Sequence, residues 1–277
     1  MAISKPYYRT YRSFTEAPES KHSSNSHNSS RKYITDNSSW QYITGSGYAK
    51  DPELYLRSFK LILKDLETLF EYIEPSDEAL KTFSFRIHEL LVRSCIEIES
   101  NFKAILRENT FSKAKLWNIS DYRKIDVSHH LSSFKVQLPH WRDGPKIFAP
   151  FEPWLAYRSK SNDEGKTGLS WYQAYNAGKH DRHSEFPSSN FDNLLNAIAA
   201  LAIVISAQFK QGILKDGPAI LVTGKSIETG FDDAEWGPFR LSFPQDWDEH
   251  EQYDFDWSDL KDRENSYTKF DYDSVWP

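Results

Sequence analysis

Three features of the 277-residue chain predict a mainly α-helical protein: an antiparallel helical bundle with a small β-hairpin-like C-terminal appendage and irregular flanks. Long segments repeat apolar residues every three or four positions, the period that places them on one face of a helix. One such segment is alanine-rich and apolar on nearly every side. Short β-like runs come only after Gly212.

Residues 1–50 hold eleven serines and seven Lys/Arg against three Asp/Glu, with a low-complexity centre "SKHSSNSHNSSRK". This composition buries too little apolar surface to offset chain entropy, so a Ser-rich, largely disordered arm is expected there. A helical bundle is expected over 51–212, followed over 213–277 by short strands and an acidic, aromatic tail.

The first helix begins at "DPELYLRSFKLILKDLETLFEYI". Asp51 can cap it and Pro52 suits its first position, where no N–H is needed. Leu56, Phe59, Leu63, Leu66, Phe70 and Ile73 recur at helical spacing. After "EPSD", a second helix is read from "EALKTFSFRIHELLVRSCIEIESNFKAILREN", with Ile87, Leu90, Leu91, Cys95, Ile98, Phe102, Ile105 and Leu106 in register. A short break between two long helices implies an antiparallel pair. A third helix, with Ser120 as its cap, is expected in "SDYRKIDVSHHLSSFKVQL". The Pro/Gly-punctuated stretch from Pro139 reads as loop. Ser170 and Gln173 form a capping-box pattern opening the next helix, which ends near Lys179 to His183. "NFDNLLNAIAALAIVISAQFKQGI" is the last and most apolar helix, with Ser189 and Asp192 as capping residues. It marks the bundle's centre or a subunit interface. "AILVT" (219–223) and "PFRLSF" (238–243) read as strands of a hairpin with a long loop.

Composition excludes several function classes. One cysteine, Cys95, permits no internal disulfide or cysteine-rich metal site, and its place on the apolar stripe reads as a buried thiol. The N-terminus lacks the apolar core of a secretory signal. The run 197–207 is too short to span a bilayer, so the expected location is cytoplasmic, with no membrane partner. "LVTGKS" (221–226) carries Ala219 where a phosphate-binding loop needs its first glycine, so that motif is absent. Neither His129-His130 nor His180/His183 comes with a recognisable third ligand, so no metal and no cofactor is expected. Glu97 and Glu99 lie about 200° apart on a helix and form no same-face dyad, although one can face inward. The net charge of −6 is uneven: "QDWDEHEQYDFDWSDL" (245–260) holds seven acids and no Lys or Arg. A basic arm and an acidic tail read as solvated flanks.

The residues best suited to chemistry lie in "GLSWYQAYNAGKHDRHSEF" (168–186). On one helix, Tyr172, Asn176, His180 and, nearly, His183 share a stripe, flanked by Lys179 and Arg182. Phosphodiester cleavage needs an imidazole to move protons and cations or amides to steady the phosphorane, and both are present. The plainer alternative is that Asn176 and His180 satisfy backbone groups between helices while Lys179 and Arg182 face water.

Taken together, "RSCIEIESNFKAIL", "YNAGKHDRH" and the alanine-rich helix resemble the HEPN superfamily of helical domains, over roughly residues 51–212. That resemblance implies a homodimer and a metal-independent ribonuclease of a defence, antiviral or toxin system, acting by 2′-hydroxyl attack across a cleft shared by two Arg-x(4–6)-His motifs. It places Asn176 and His180 on the Asn and His of the motif. His180 is then the general acid/base, Asn176 and Arg182 are catalytic partners, and Lys179, His183 and Tyr172 contact RNA. The motif's arginine position is Tyr175, which supplies no permanent cation. The alternative reading is therefore a non-catalytic helical module that dimerises or binds a protein partner.

Overall fold

The computed structural model describes residues 12–13, 40–44, 52–114, 116–159, 168–209, 220–223, 232–233, 237–246 and 270–276. Its architecture is mainly α-helical with small antiparallel sheets, as the periodicity predicts. Apart from the strands below, the arm expected over 1–50 lies outside the described residues, as do Asp51 and residues 247–269.

Helix α1 (Pro52–Phe70) starts on its proline and buries Leu56, Phe59, Ile62, Leu63 and Leu66. Helix α2 (Phe85–Glu108) begins later than the sequence suggests. Residues Glu78–Lys81 form a separate 3-10 turn, and Ser84, held extended, accepts a hydrogen bond from the Ile87 N–H at 3.2 Å. That cap, together with an antiparallel bridge between Phe83 and Asn190, sets the true start of the helix.

Helix α8 (Phe191–Phe209) is the centre of the bundle, packed against α1, α2 and helix α6 (Ser170–His180). Asn190 caps it by accepting from the Asn193 N–H at 3.0 Å, in place of Ser189 or Asp192. Leu194, Leu195, Ile198, Leu201, Ile203 and Val204 are fully buried, each worth about 1.5–3 kcal/mol of transfer from water. Buried Ala197, Ala199, Ala200 and Ala202 let neighbouring backbones approach. By length and composition Phe191–Gln208 is apolar enough to cross a bilayer, yet 78% of it is buried inside the fold.

Side-chain contacts give the helix directions. Arg93 pairs with Asp65, which ties α1 to α2; Tyr172 meets Glu99 while Gly178 meets His88, so α6 is antiparallel to α2. His88 meets Ser189 and Asn101 meets Gln208, so α8 runs parallel to α2.

The third helix expected through Leu138 is instead two short helices and a strand. Helix α3 (Ile119–Arg123) is capped by Asn118, not Ser120, in a capping box with Asp121. Helix α4 (Ile125–His129) ends because His130 is left-handed, φ 50°, and the Asp126 carboxylate accepts from the Ser132 N–H and hydroxyl, each at 2.7 Å. Residues Lys135–Leu138 then alternate inward and outward as a strand. The region read as loop contains a strand, Lys146–Phe148, and helix α5 (Leu155–Arg158).

In chain order the strands are β1 (Arg12–Ser13), β2 (Trp40–Thr44), β3 (Lys135–Leu138), β4 (Lys146–Phe148), β5 (Ile220–Thr223), β6 (Asp232–Asp233) and β7 (Arg240–Ser242). They form two antiparallel sheets, ordered β1-β2-β5 and β4-β3-β7-β6. The two C-terminal strands read from sequence are both present, but each pairs with an earlier strand rather than with the other. The second pairing sets Leu241 beside Val136, both buried, which seals an apolar face that a simple hairpin would leave open.

Candidate functional site

Helix α6 carries the residues singled out in the sequence, and the fold divides them between two environments. No side chain caps its first turn, so the Ser170/Gln173 box is not used. Its inner face buries Trp171, Tyr172, Ala174, Tyr175 and Gly178. Trp171 anchors it, donating from Nε1 to the Pro150 carbonyl at 3.0 Å. Gly178 is required by close approach: a Cβ there would lie 3.0 Å from the Ser189 hydroxyl and 3.2 Å from the His88 ring. His88 Nδ1 and Ser189 Oγ are hydrogen-bonded at 2.9 Å. Burial, aided by the nearby Arg182 charge, holds the His88 imidazolium below its usual range, keeping that ring neutral.

Glu99 on α2 organises the middle of the helix interface. Its carboxylate accepts from the Tyr172 hydroxyl at 2.9 Å and pairs with Lys103 at 3.0 Å. The Tyr172 and Tyr175 rings pack at 5.6 Å, tilted by 57°, and Tyr122 packs on Phe102. Burial first, and then the Glu99 charge, push all three phenols up, Tyr175 to about 12. All three therefore stay neutral donors at physiological pH. The sequence allowed one of Glu97 and Glu99 to face inward; Glu99 does so, but its partner on the other helix is the Tyr172 hydroxyl, which the sequence did not single out for it. The available signal was its position one turn from Cys95 and Phe102, at the border of the apolar stripe.

Tyr172 is thus a core residue, 7% exposed, rather than part of an open RNA-contacting stripe. Tyr175 is 2% exposed. Asn176 is half-buried at the rim. Lys179, His180, Arg182 and His183 are exposed.

One continuous helix through residue 182 is not formed. Helix α6 ends at His180, and Asp181 accepts from the Ser184 N–H at 3.2 Å to start helix α7 (Arg182–Glu185). Arg182 and His183 therefore reach the same end of the molecule from a second helical turn. The Lys179 ammonium lies 5.5 Å over the Tyr175 ring, and the Arg182 guanidinium 5.8 Å over Phe85. Lys179, His180, Arg182 and His183 all face solvent at the junction of α6 and α7, with Asn176 one turn behind. Tyr172, eight residues from His180, is roughly 12 Å away along the axis. Among the described residues, Lys179 and Arg182 pair with no carboxylate. The arrangement offers an imidazole able to move protons in water beside two cations that can hold phosphate.

A second polar cluster was not anticipated. Arg158 pairs with the fully buried Asp126 at 3.6 Å and with Asp246 at 2.5 Å, and His130 Nδ1 lies 3.2 Å from Asp246. Burial pushes Asp246 up, but hydrogen bonds from His130 and Ser133 and the Arg158 charge together outweigh it and hold that carboxyl far below the usual range, while burial pushes Asp126 up. His129 Nδ1 is 2.9 Å from the Ser128 hydroxyl, which also meets the Tyr272 hydroxyl at 2.6 Å. The end of the chain docks nearby: Lys124 donates to the Val275 carbonyl at 2.6 Å and Tyr157 to that of Trp276 at 2.6 Å. These contacts clasp the chain on both sides of residues 247–269.

Comparison with protein-family models, with curated proteins and with solved structures finds no match.

Proposed function

We propose that this chain is a HEPN-like, RNA-directed helical protein, in which the α6–α7 end holds RNA phosphate and His180 moves the proton of a 2′-hydroxyl attack. The observation that supports this reading most is the exposure of His180 beside Lys179, Arg182 and His183, with the two cations left unpaired among the described residues. A histidine serving only to satisfy groups between helices would be buried. In this scheme His180 takes the 2′-hydroxyl proton as the 2′-oxygen attacks phosphorus. The bond from phosphorus to the 5′-oxygen breaks to leave a 2′,3′-cyclic phosphate, and the proton is delivered to the departing 5′-oxygen. Asn176 orients the imidazole or the phosphate, and Lys179 and Arg182 steady the charge that develops on the phosphorane. His183 adds a further contact to RNA, while Tyr172 supports the helix from within. A cytoplasmic homodimer working in a defence or toxin system belongs to the same proposal.

One observation favours a second reading, a non-catalytic module that dimerises or binds a partner. Tyr175 occupies the motif's arginine position and lies buried, within the reach of Glu99. The test is incubation of purified protein with mixed cellular RNA in EDTA, beside His180→Ala. Cleavage by the parent alone is expected. Equal cleavage by both removes the role given to His180, and cleavage by neither turns the reading to the binding module.

A further inference from the structure

We infer that Phe83, Phe85 and Phe186 form a stacking platform for an unpaired base of single-stranded RNA, with Lys179 and Arg182 taking the adjacent phosphates; this rests on the RNA reading above. Phe83 is 45% and Phe85 61% exposed, and Phe186 is half-buried between them. Single exposed phenyls are ordinary on protein surfaces. Three in contact are not scatter: the Phe186 ring centroid lies 5.5 Å from Phe83, edge to face, and 4.9 Å from Phe85, tilted by 40°, so the cluster offers angled ring surfaces rather than one flat sheet.

The cluster is held rigidly. Phe83 is fixed by its bridge to Asn190 and by the Phe191 N–H donating to the Thr82 carbonyl at 2.8 Å. Phe85 is the first residue of the capped helix α2. Phe186 precedes Pro187 in a 3-10 turn and lies 6.0 Å from the buried His88 ring. A platform already ordered loses little entropy when a ligand stacks on it.

Its surroundings select the ligand. Arg182 already lies over the Phe85 ring, and Lys179 projects from the neighbouring turn. The nearby acids are engaged elsewhere: Asp181 caps α7, Glu185 accepts from the Ser188 hydroxyl at 3.0 Å, and Glu89 pairs with Arg86 at 3.7 Å. Apolar ring faces bordered by unpaired cations complement a strand with bases and phosphates in alternation. In a duplex the base faces are covered by their neighbours, so only an unpaired base can reach the rings.

The test uses the full chain and fluorescence anisotropy with three labelled probes: a short 2′-O-methyl uridine oligonucleotide, which cannot be cleaved by 2′-hydroxyl attack, an abasic strand of equal length, and the matching duplex. The uridine strand is expected to bind roughly tenfold more tightly than the abasic one. Phe85→Leu, a surface change whose folding is checked by circular dichroism, is expected to remove that preference, and Phe85→Trp to keep it. Arg182→Ala is expected to weaken the uridine and abasic strands alike and to flatten the salt dependence. Binding of uridine and abasic strands with equal affinity, or an unchanged preference in Phe85→Leu, overturns the platform and leaves the RNA reading standing. Failure to bind any probe overturns both. A dimer in sedimentation that Phe85→Leu dissociates, without RNA binding, assigns the rings to a second copy and overturns the inference.

Discussion

Replacing Tyr172 with phenylalanine separates a latch between helices from a contact to RNA. The change deletes one hydroxyl, the donor to Glu99 at 2.9 Å, and leaves the ring packed against Trp171 and Tyr175. A hydrogen bond to a charged acceptor is worth about 1.5–3 kcal/mol net. Two features place this one at the lower end: the Glu99 side chain is 17% exposed, and Lys103 still neutralises it. A loss of about 1.5 kcal/mol follows, and with a urea dependence of about 2 kcal/mol per molar the midpoint falls by roughly 0.7 M. Urea titration followed by both tryptophan fluorescence and far-ultraviolet circular dichroism measures it, with coincident curves and an unchanged slope as internal controls. In a cycle with Glu99→Leu, which has no acceptor, the two changes should be non-additive, because each removes the same contact. An unchanged midpoint in Tyr172→Phe, together with weaker RNA binding, would refute the reasoning and return Tyr172 to the surface role suggested by its place in the sequence.

The three phenols around Glu99 also set the response to alkali. Their folded pKa values are raised, so above pH 10, the ordinary tyrosine range, the unfolded chain gives up protons first. The stability they confer is complete below about pH 10 and falls as pH rises towards about 12, where Tyr175 ionises. Denaturant titrations across that window, with tyrosinate absorbance as the second probe, check it; a flat profile contradicts it. At the second cluster, Arg158→Met strips Asp126 of its cation inside the fold and should cost about 3 kcal/mol in thermal or urea unfolding. Adding Asp126→Asn should recover part of that loss, since the uncompensated charge then disappears; no recovery would mean that Arg158 acts through packing or Asp246 instead.

Much of the bundle was legible because helices are local objects. The apolar positions of α1, α2 and α8 follow the helical period, and each α-helical hydrogen bond closes within four residues. The chain's own pattern therefore states both the helix and its buried face. The near-continuous apolarity of α8 likewise signalled a helix surrounded by others, and its place at the centre answers to that. For the same reason the end of α6 near His180 was readable, as were exposed Lys179 and Arg182.

Tertiary structure alone decided the rest. Strand pairing joins residues far apart, so β5 and β7 could be recognised as strands but their partners could not. A residue at the border of an apolar stripe faces inward or outward according to its neighbour: Glu99 turned in because Tyr172 on α6 met it, and Tyr172 left the surface for the same reason. Arg158 and Asp246, separated by 88 residues, form a pair that no local pattern announces. Sequence periodicity determines which helices exist and which face each one buries. The meeting of those faces, a matter of long-range packing and of satisfying buried polar groups, determines which side chains remain in water to act.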